Sequence, residues 1–464
     1  MPRSLLSANI VDQARSQMGL TLSFHIVFAC LGVALPAVVM VAHYIGLRRR
    51  DADALLLARR WSKVLAVIVS VGAVSGTLLS FEMGLLWPGL MGTFGAAIGI
   101  PFSVEGIFFL LEAVFVSIYL FGWQRLPQWA HFASLVPVAI SGIFGAWSVV
   151  AANSWMNQPA GYTLRHGRVV RVEPLAVFFN RASAYEVPHM VLAAYMVTGF
   201  LVASVYAVGL LRGRRDRYHR LGFAIPFSVA AICTLPQIVV GDTAARAIEH
   251  QQPLKFAAME YVIRTHTHVT EYLGGVLIHG HVDGAISIPD LDSLLVGFSP
   301  GTKVVGWDSA PARLRPPFPT LVHLSFDLMV AIGFGLLLWS LWLAMAWWRR
   351  RALPSGRAGT VFLVGGAVAG VAAVAAMEAG WVVTEVGRQP WIVYKVMLVS
   401  QAATTAGGVT ATLVAVLVIY PVLTVGTIGV LLAMGRRWRR HGRVAEDEVP
   451  YGPRGPAPAG AGGP

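Results

Sequence analysis

Gly380-Trp381-Val382-Val383-Thr384-Glu385-Val386-Gly387-Arg388-Gln389-Pro390-Trp391 sets a carboxylate, an arginine and two tryptophans where a long apolar run meets a polar break. An ionisable residue at membrane depth is costly, so its presence marks a function such as metal ligation or proton transfer. The stretch points to a membrane-spanning chain.

Of 464 residues, 56% are hydrophobic and 13% charged, with mean hydropathy +0.64. A soluble chain carries about a quarter charged residues, so the surplus apolar surface here faces lipid. Nine apolar stretches lie at about 18–46, 62–86, 102–123, 130–153, 186–211, 220–240, 320–348, 360–386 and 401–434. Each meets or approaches the ~20 residues a helix needs to cross the hydrocarbon, and helices satisfy their own backbone groups there. The expected fold is an all-α integral membrane protein with about nine transmembrane helices in a single bundle over 1–434. It carries a long loop at 241–319 and a tail at 435–464, and no soluble domain or internal repeat stands out. Tyr451–Pro464, rich in Pro, Gly and Ala, is expected to be disordered. Met1–Ser16 is polar and short for a cleavable signal, so the first span is expected to act as the insertion signal. Cys30 and Cys233 both fall inside spans, which excludes a disulfide scaffold and, without Cys-x-x-Cys-His, a covalent c-type haem.

The net charge of +13 invites a polyanion reading, but its placement argues otherwise. Of the 36 Lys and Arg, 22 fall in the loops after the odd-numbered spans and in the tail, and 14 on the opposite side. Six of those 14 lie in the long loop 241–319, and long loops do not count in the positive-inside rule, which leaves 22 against 8. The N-terminus and the 241–319 loop are therefore expected outside, the C-terminus in the cytoplasm. Basic charge here reports topology, and no nucleic acid partner is implied.

With that topology several unusual residues fall at similar depth. His25 lies early in the first span and His189 at the start of the fifth. Met329 sits about ten residues into the seventh, some 15 Å deep at 1.5 Å per residue. Glu385 closes the eighth span. Glu105 opens the third, with Glu112 seven residues on, two turns along one helical face. His with Met is a common low-spin haem ligation, whereas His or a carboxylate alone leaves a position open. Glu105 and Glu112 are placed to relay protons inward. The bland alternatives stay open: an interfacial histidine hydrogen-bonds, and a methionine fills apolar gaps. His266, His268, His279 and His281 form two His-x-His pairs in the long loop, either metal-binding or simply solvated.

Taken together these segments resemble subunit I of cytochrome bd-type quinol oxidases. The opening stretch is similar to that family's GWxxxExGRQPW signature. Arg15-Ser16-Gln17-Met18…Thr21…Phe24-His25 resembles its RxQFxxTxxYH, with Phe24 where Tyr is usual. Glu105-Gly106…Glu112, His189…Tyr195…Thr198-Gly199 and Gly241-Asp242…Gln252-Pro253-Leu254-Lys255…Glu260 follow in the family's order. Three departures stand out: Asp327 where many members carry Arg, the order Asn157-Gln158-Pro159, and an outer loop short relative to the longest members.

The resemblance implies roles for single residues. His189 and Met329 would hold a low-spin haem b, Glu385 a high-spin haem b, and His25 a third haem, d or b. Glu105 and Glu112 would lie on the proton path. Asp242, Lys255 and Glu260 would belong to the quinol site in the 241–319 loop. Arg15 and Arg388 would pair with haem propionates, which suit a planar guanidinium, while Trp381 and Trp391 would flank the haems. The implied function is a terminal quinol oxidase that reduces oxygen to water with cytoplasmic protons, so generating proton motive force. It would sit in the inner membrane of a prokaryote with a second subunit, subunit II, and a small accessory subunit. A haem b electron carrier that never reduces oxygen and a secondary transporter are the rival classes.

Overall fold

The computed structural model describes residues 3–351 and 353–440, so the segment Tyr451–Pro464 lies outside the described residues. Among them are nine helices long and apolar enough to cross a membrane. They are α1 (Arg3–Arg49), α2 (Ala52–Leu86), α3 (Pro88–Gly122), α4 (Leu135–Asn157), α5 (Ser183–Leu211), α6 (Arg217–Gln251), α7 (Pro319–Arg350), α8 (Gly356–Gly387) and α9 (Val409–Arg440).

Local chemistry sets several of their ends. Asp51 caps α2 by accepting from the Ala54 amide at 3.2 Å, and its carboxylate also pairs with Arg217 at the start of α6. Asp216 caps α6 in the same way, accepting from His219 N at 3.0 Å. The basic connection between α5 and α6 is thereby tied to the turn between α1 and α2.

α1 begins well before the apolar boundary near residue 18 and runs for 47 residues. The reason is tertiary: Ala14 and Met18 are buried with Leu90, Phe94 and Trp155. Gln13 and Gln17 accept hydrogen bonds from Thr410 and Thr412 of α9 at 2.8 and 2.9 Å. At the other end of the chain, α9 starts later than its apolar run. Gly408, at φ +99°, breaks the chain in a conformation that suits glycine. α9 then continues through residues 435–440, which are helix rather than tail.

The bundle core is built by α5, α6 and α8: Val197, Phe200 and Ala203 pack with Phe223, Phe227, Phe362 and Ala369. A hairpin, β1 (Tyr162–Arg165) with β2 (Arg168–Val172), connects α4 to α5.

Between α6 and α7 the expected open loop is a folded cap. α6 itself extends to Gln251, followed by a short helix at Pro253–Met259. Two nested antiparallel pairs come next: β3 (Glu271–Leu273) with β6 (Ile286–Ile288), and inside them β4 (Val276–Ile278) with β5 (His281–Asp283). Phe256, Met259, Tyr261, Val304 and Trp307 form the cap's own apolar core, which seats on Val322 of α7 and Val383 of α8. The cap therefore closes the end of the bundle at which α8 presents Glu385. A final short pair, β7 (Trp391–Val393) and β8 (Met397–Leu398), lies between α8 and α9.

Candidate functional site

A cavity of ≈ 360 Å³ opens between α5, α6, α7, α8 and the cap. Its walls are mostly apolar, and His189 of α5 and Met329 of α7 both line it. Two glycines leave room beside them. A Cβ at Gly241 would stand 3.3 Å from His189 Cε1, and one at Gly380 would stand 2.9 Å from Met329 Sδ. The Gln237 amide lies 3.2 Å from His189 Nε2 and orients the ring. A histidine and a thioether facing an apolar space of this size, with the clearance kept open by glycines, fit a six-coordinate haem. Trp381, Asp242, Lys255 and Glu260 line the same cavity.

Glu385 lies outside that cavity, in a polar cluster. Its Oε2 accepts from Arg388 at 2.6 Å, and its other oxygen accepts from Asn153 of α4. Arg388 also reaches Asn157 Oδ1 at 3.4 Å, and Asn157 Nδ2 donates to Glu186 of α5 at 2.8 Å. Lys255, buried, donates to the Thr384 carbonyl at 3.4 Å. Burial pulls its ammonium down to about 8, against the opposing pull of Glu186. A carboxylate donor with a guanidinium beside it, a group suited to pair with a propionate, is a donor set that fits a haem. Trp391 and Arg388 share a small pocket with Lys255.

His25 is apart from both. Its Nδ1 lies 2.9 Å from Ser75 Oγ of α2, and it faces Gly76, where a Cβ would come within 3.0 Å of its ring. Glu112 Oε1 approaches Gly32 of α1, so this glutamate of α3 reaches towards the helix that carries His25. Arg15 pairs with Asp12 at 3.4 Å and stands over the Phe318 ring, away from the cavity. The residues expected at one depth thus divide into three groups around α1, α5 and α8.

The loop motifs are also sorted by geometry. Asp242 pairs with Arg246 at 2.7 Å on the cavity rim. His279 and Gly280 (φ +49° and +83°) form the tight turn between β4 and β5. His268 pairs with Asp290 at 2.9 Å. Among the described residues, none of the His-x-His histidines joins a cluster of three metal-type ligands. Asp327, the departure from the family arginine, accepts from Gly274 N at 2.5 Å and so ties the cap to α7.

Several polar residues of the site escaped the sequence reading. Glu186 precedes His189 by three positions, one turn on the same face, which is a legible signal. Glu378, hydrogen-bonded to Ser23, lies two residues before Gly380. Glu271 and Asp292 had no such signal. With Glu260 they bring three carboxylates within 4.8 Å of one another, all lining the cavity. Burial first, then its acidic neighbours, pushes the Glu260 carboxyl well above the usual carboxylate range. Burial likewise lifts Glu271 to about 7 and Asp292 to about 8.

Nine long apolar helices among the described residues, some of them enclosing a cavity lined by His189 and Met329, define a multi-pass membrane protein. Residues 13–438 match the family described as cytochrome bd terminal oxidase subunit I, and the chain belongs to that family. It is 32% identical over 91% of its length, and 96% of the relative's, to a Bacillus subtilis protein named as a cytochrome bd menaquinol oxidase subunit I. It is 27% identical, over 88% of the chain and 90% of the relative, to the cytochrome bd ubiquinol oxidase subunit 1 of the same organism. The bd oxidase structure from Geobacillus thermodenitrificans superposes with a TM-score of 0.86 at 34% identity, covering 92% of this chain and 98% of that one. The chain is a quinol oxidase subunit.

Proposed function

We propose that this chain is the haem-carrying subunit of a quinol:oxygen oxidoreductase in the cytoplasmic membrane of a prokaryote. It oxidises a membrane quinol on the cap side and reduces oxygen to water with protons drawn from the cytoplasm, which generates proton motive force. One observation carries the reading: Lys255 and Glu260 line the same cavity as His189 and Met329. A quinol bound between the first two residues lies next to the electron-accepting position.

His189 with Met329 would hold one haem b, Glu385 a second, and His25 a third haem, d or b. When bound, a six-coordinate haem supplies a one-electron acceptor and an open-sided one supplies a position for oxygen. The chain supplies the rest. Lys255 donates to a quinol oxygen, and Glu260 takes the hydroxyl proton after passing its own proton on. Glu112 and Glu105 carry protons along α3 towards the His25 region. Arg388, beside Glu385, neutralises propionate charge, with Arg15 serving the N-terminal side, and Trp381 and Trp391 pack as aromatic walls. Asp242 holds the rim through Arg246. The excess of Lys and Arg in the loops after the odd-numbered spans supports an outside N-terminus and cap. Subunit II and a small accessory subunit complete the enzyme.

The test is a pair of measurements on the purified complex. His189→Ala or Met329→Ala should remove the low-spin band from the reduced-minus-oxidised spectrum while leaving the other haem bands. A soluble quinol should drive oxygen uptake by the unaltered enzyme. Haem bands without oxygen uptake would leave an electron carrier; no haem bands at all would leave a transporter.

A further inference from the structure

We propose that Glu271 and Asp292, with Glu260, form a relay that carries quinol protons from the cavity to solvent on the cap side, leaving by Glu249 and His250. The inference rests on the reading of Glu260 as the carboxylate of the quinol site.

The three carboxylates come from different parts of the cap: the end of the Pro253–Met259 helix, β3, and the short helix Leu291–Gly297. Their side chains nonetheless meet within 4.8 Å, and the residues are only 4%, 5% and 1% exposed. Glu260 Oε2, Glu271 Oε2 and Asp292 Oδ2 have no hydrogen-bond partner among the described residues, although each is buried. The arginines nearest the cavity are engaged elsewhere, Arg246 with Asp242 and Arg388 with Glu385. The groups that face them are Glu249 and His250 of α6, Asp327 and His323 of α7, Lys255 across the cavity, and Arg246 of α6, whose guanidinium is taken up by Asp242. Glu249 is buried and pairs with His250 at 2.9 Å, and the His250 side chain is 76% exposed. Glu249 lies near enough to raise the Asp292 carboxyl and itself pairs with exposed His250, so the cluster stands between the cavity wall and the surface.

Three buried carboxylates without a cation cannot all ionise, so the cluster holds protons and shares them. Glu260 and Glu271 hydrogen-bond to one another, which requires one of the two to carry a proton. Quinol oxidation supplies a use. Each quinol loses two electrons to the oxygen-reducing redox groups and two protons as it becomes quinone. Glu260 first hands its own proton to Glu271, from which it passes by Asp292 and Glu249 to water; the quinol O–H bond then breaks and its proton forms a new O–H bond on the emptied Glu260. Every carboxyl returns to its starting state. The carboxyls of Glu271 and Asp292, raised to about 7 and about 8, can load and unload protons near neutral pH.

The test uses the whole oxidase with subunit II. In electrochemically induced infrared difference spectra, recorded without turnover, the unaltered enzyme should show a carboxylic C=O signal that shifts in heavy water. Asp292→Asn and Glu271→Gln should each diminish that signal and lower quinol-driven oxygen uptake about 100-fold, with an altered pH profile. Asp292→Glu should restore both, and Asp283→Asn, an exposed cap carboxylate, should change neither. A dithionite-reduced haem spectrum checks folding of each variant. Unchanged infrared signal and uptake in both Asp292→Asn and Glu271→Gln overturn the relay. So does Mn²⁺ binding that Asp292→Asn abolishes, which would make the cluster a cation seat. If the unaltered enzyme oxidises no quinol, the functional reading itself fails and the relay falls with it.

Discussion

The Lys255 ammonium donates to the Thr384 carbonyl at 3.4 Å, so the cap meets α8 one residue before Glu385. The proposed quinol lysine and the proposed haem carboxylate therefore share one piece of backbone. Lys255→Met removes a buried donor, and a lost hydrogen bond to a charged group costs about 1.5–3 kcal/mol. The expected outcome is a rise of roughly 10- to 100-fold in KM for a soluble quinol, with little change in the haem spectrum. Steady-state oxygen uptake measures the first and optical difference spectra the second.

The same lysine sets a pH dependence. Burial depresses its pKa to about 8, so it is charged below that pH and neutral above it. Quinol affinity should fall as pH rises through about 8, and Lys255→Arg should flatten that limb because guanidinium stays charged. Stability moves the other way. Between about 8 and the ordinary lysine value near ~10.4 the unfolded chain binds more protons, so the penalty of this group fades as pH rises. Thermal unfolding of the unaltered enzyme against Lys255→Met across that window should show the difference narrowing.

Gly380 faces Met329 at a distance that leaves no room for a methyl group, since a Cβ would lie 2.9 Å from the sulfur. Gly380→Ala should push the flexible thioether away from its position, at an overpacking cost of about 1–3 kcal/mol. The low-spin band should weaken while the protein stays folded. Gly335 on α7 meets nothing within 4 Å of an added Cβ, so Gly335→Ala is the matched control and should leave the spectrum intact.

Glu186 accepts from Asn157, which in turn holds Arg388, so this carboxylate balances the positive side chains next to Glu385. Glu186→Leu should destabilise the complex by about 1.5–3 kcal/mol. Combining it with Lys255→Met should recover part of that loss, because the two residues interact and their effects are not additive. A denaturation series on the single and double variants reads the coupling; strict additivity would sink the proposed balance.

Orientation can be read by labelling. With Cys30 and Cys233 replaced, Ser299→Cys on the cap should react with a membrane-impermeant thiol reagent in intact cells. Arg214→Cys in the α5–α6 connection should not. Both positions are exposed, so the reversed pattern would place the cap in the cytoplasm.

The apolar runs and the few charged residues inside them made the helical membrane class and the number of long helices readable from residues alone. A membrane helix is a local object: about 20 apolar residues suffice to specify it. The sequence motifs also singled out His189, Met329 and Glu385. Their division into separate surroundings was not readable. His25 bonds with α2, His189 and Met329 share a cavity, and Glu385 is held by α4, through contacts between residues far apart in the chain.

The cap shows the same limit more sharply. A polar stretch with glycines and histidines reads as a loop, because each of its strands is only three residues long and its apolar residues show no clear period. Its fold comes from burying Phe256, Tyr261 and Trp307 against α7 and α8, and that burial alone brings Glu260, Glu271 and Asp292 together. By itself the sequence determined the membrane class, the span count and the family's motifs, since hydropathy and short patterns are written locally. The tertiary structure decided which of those side chains share a space and which buried charges lack a partner, because packing and desolvation depend on neighbours that chain order does not place side by side.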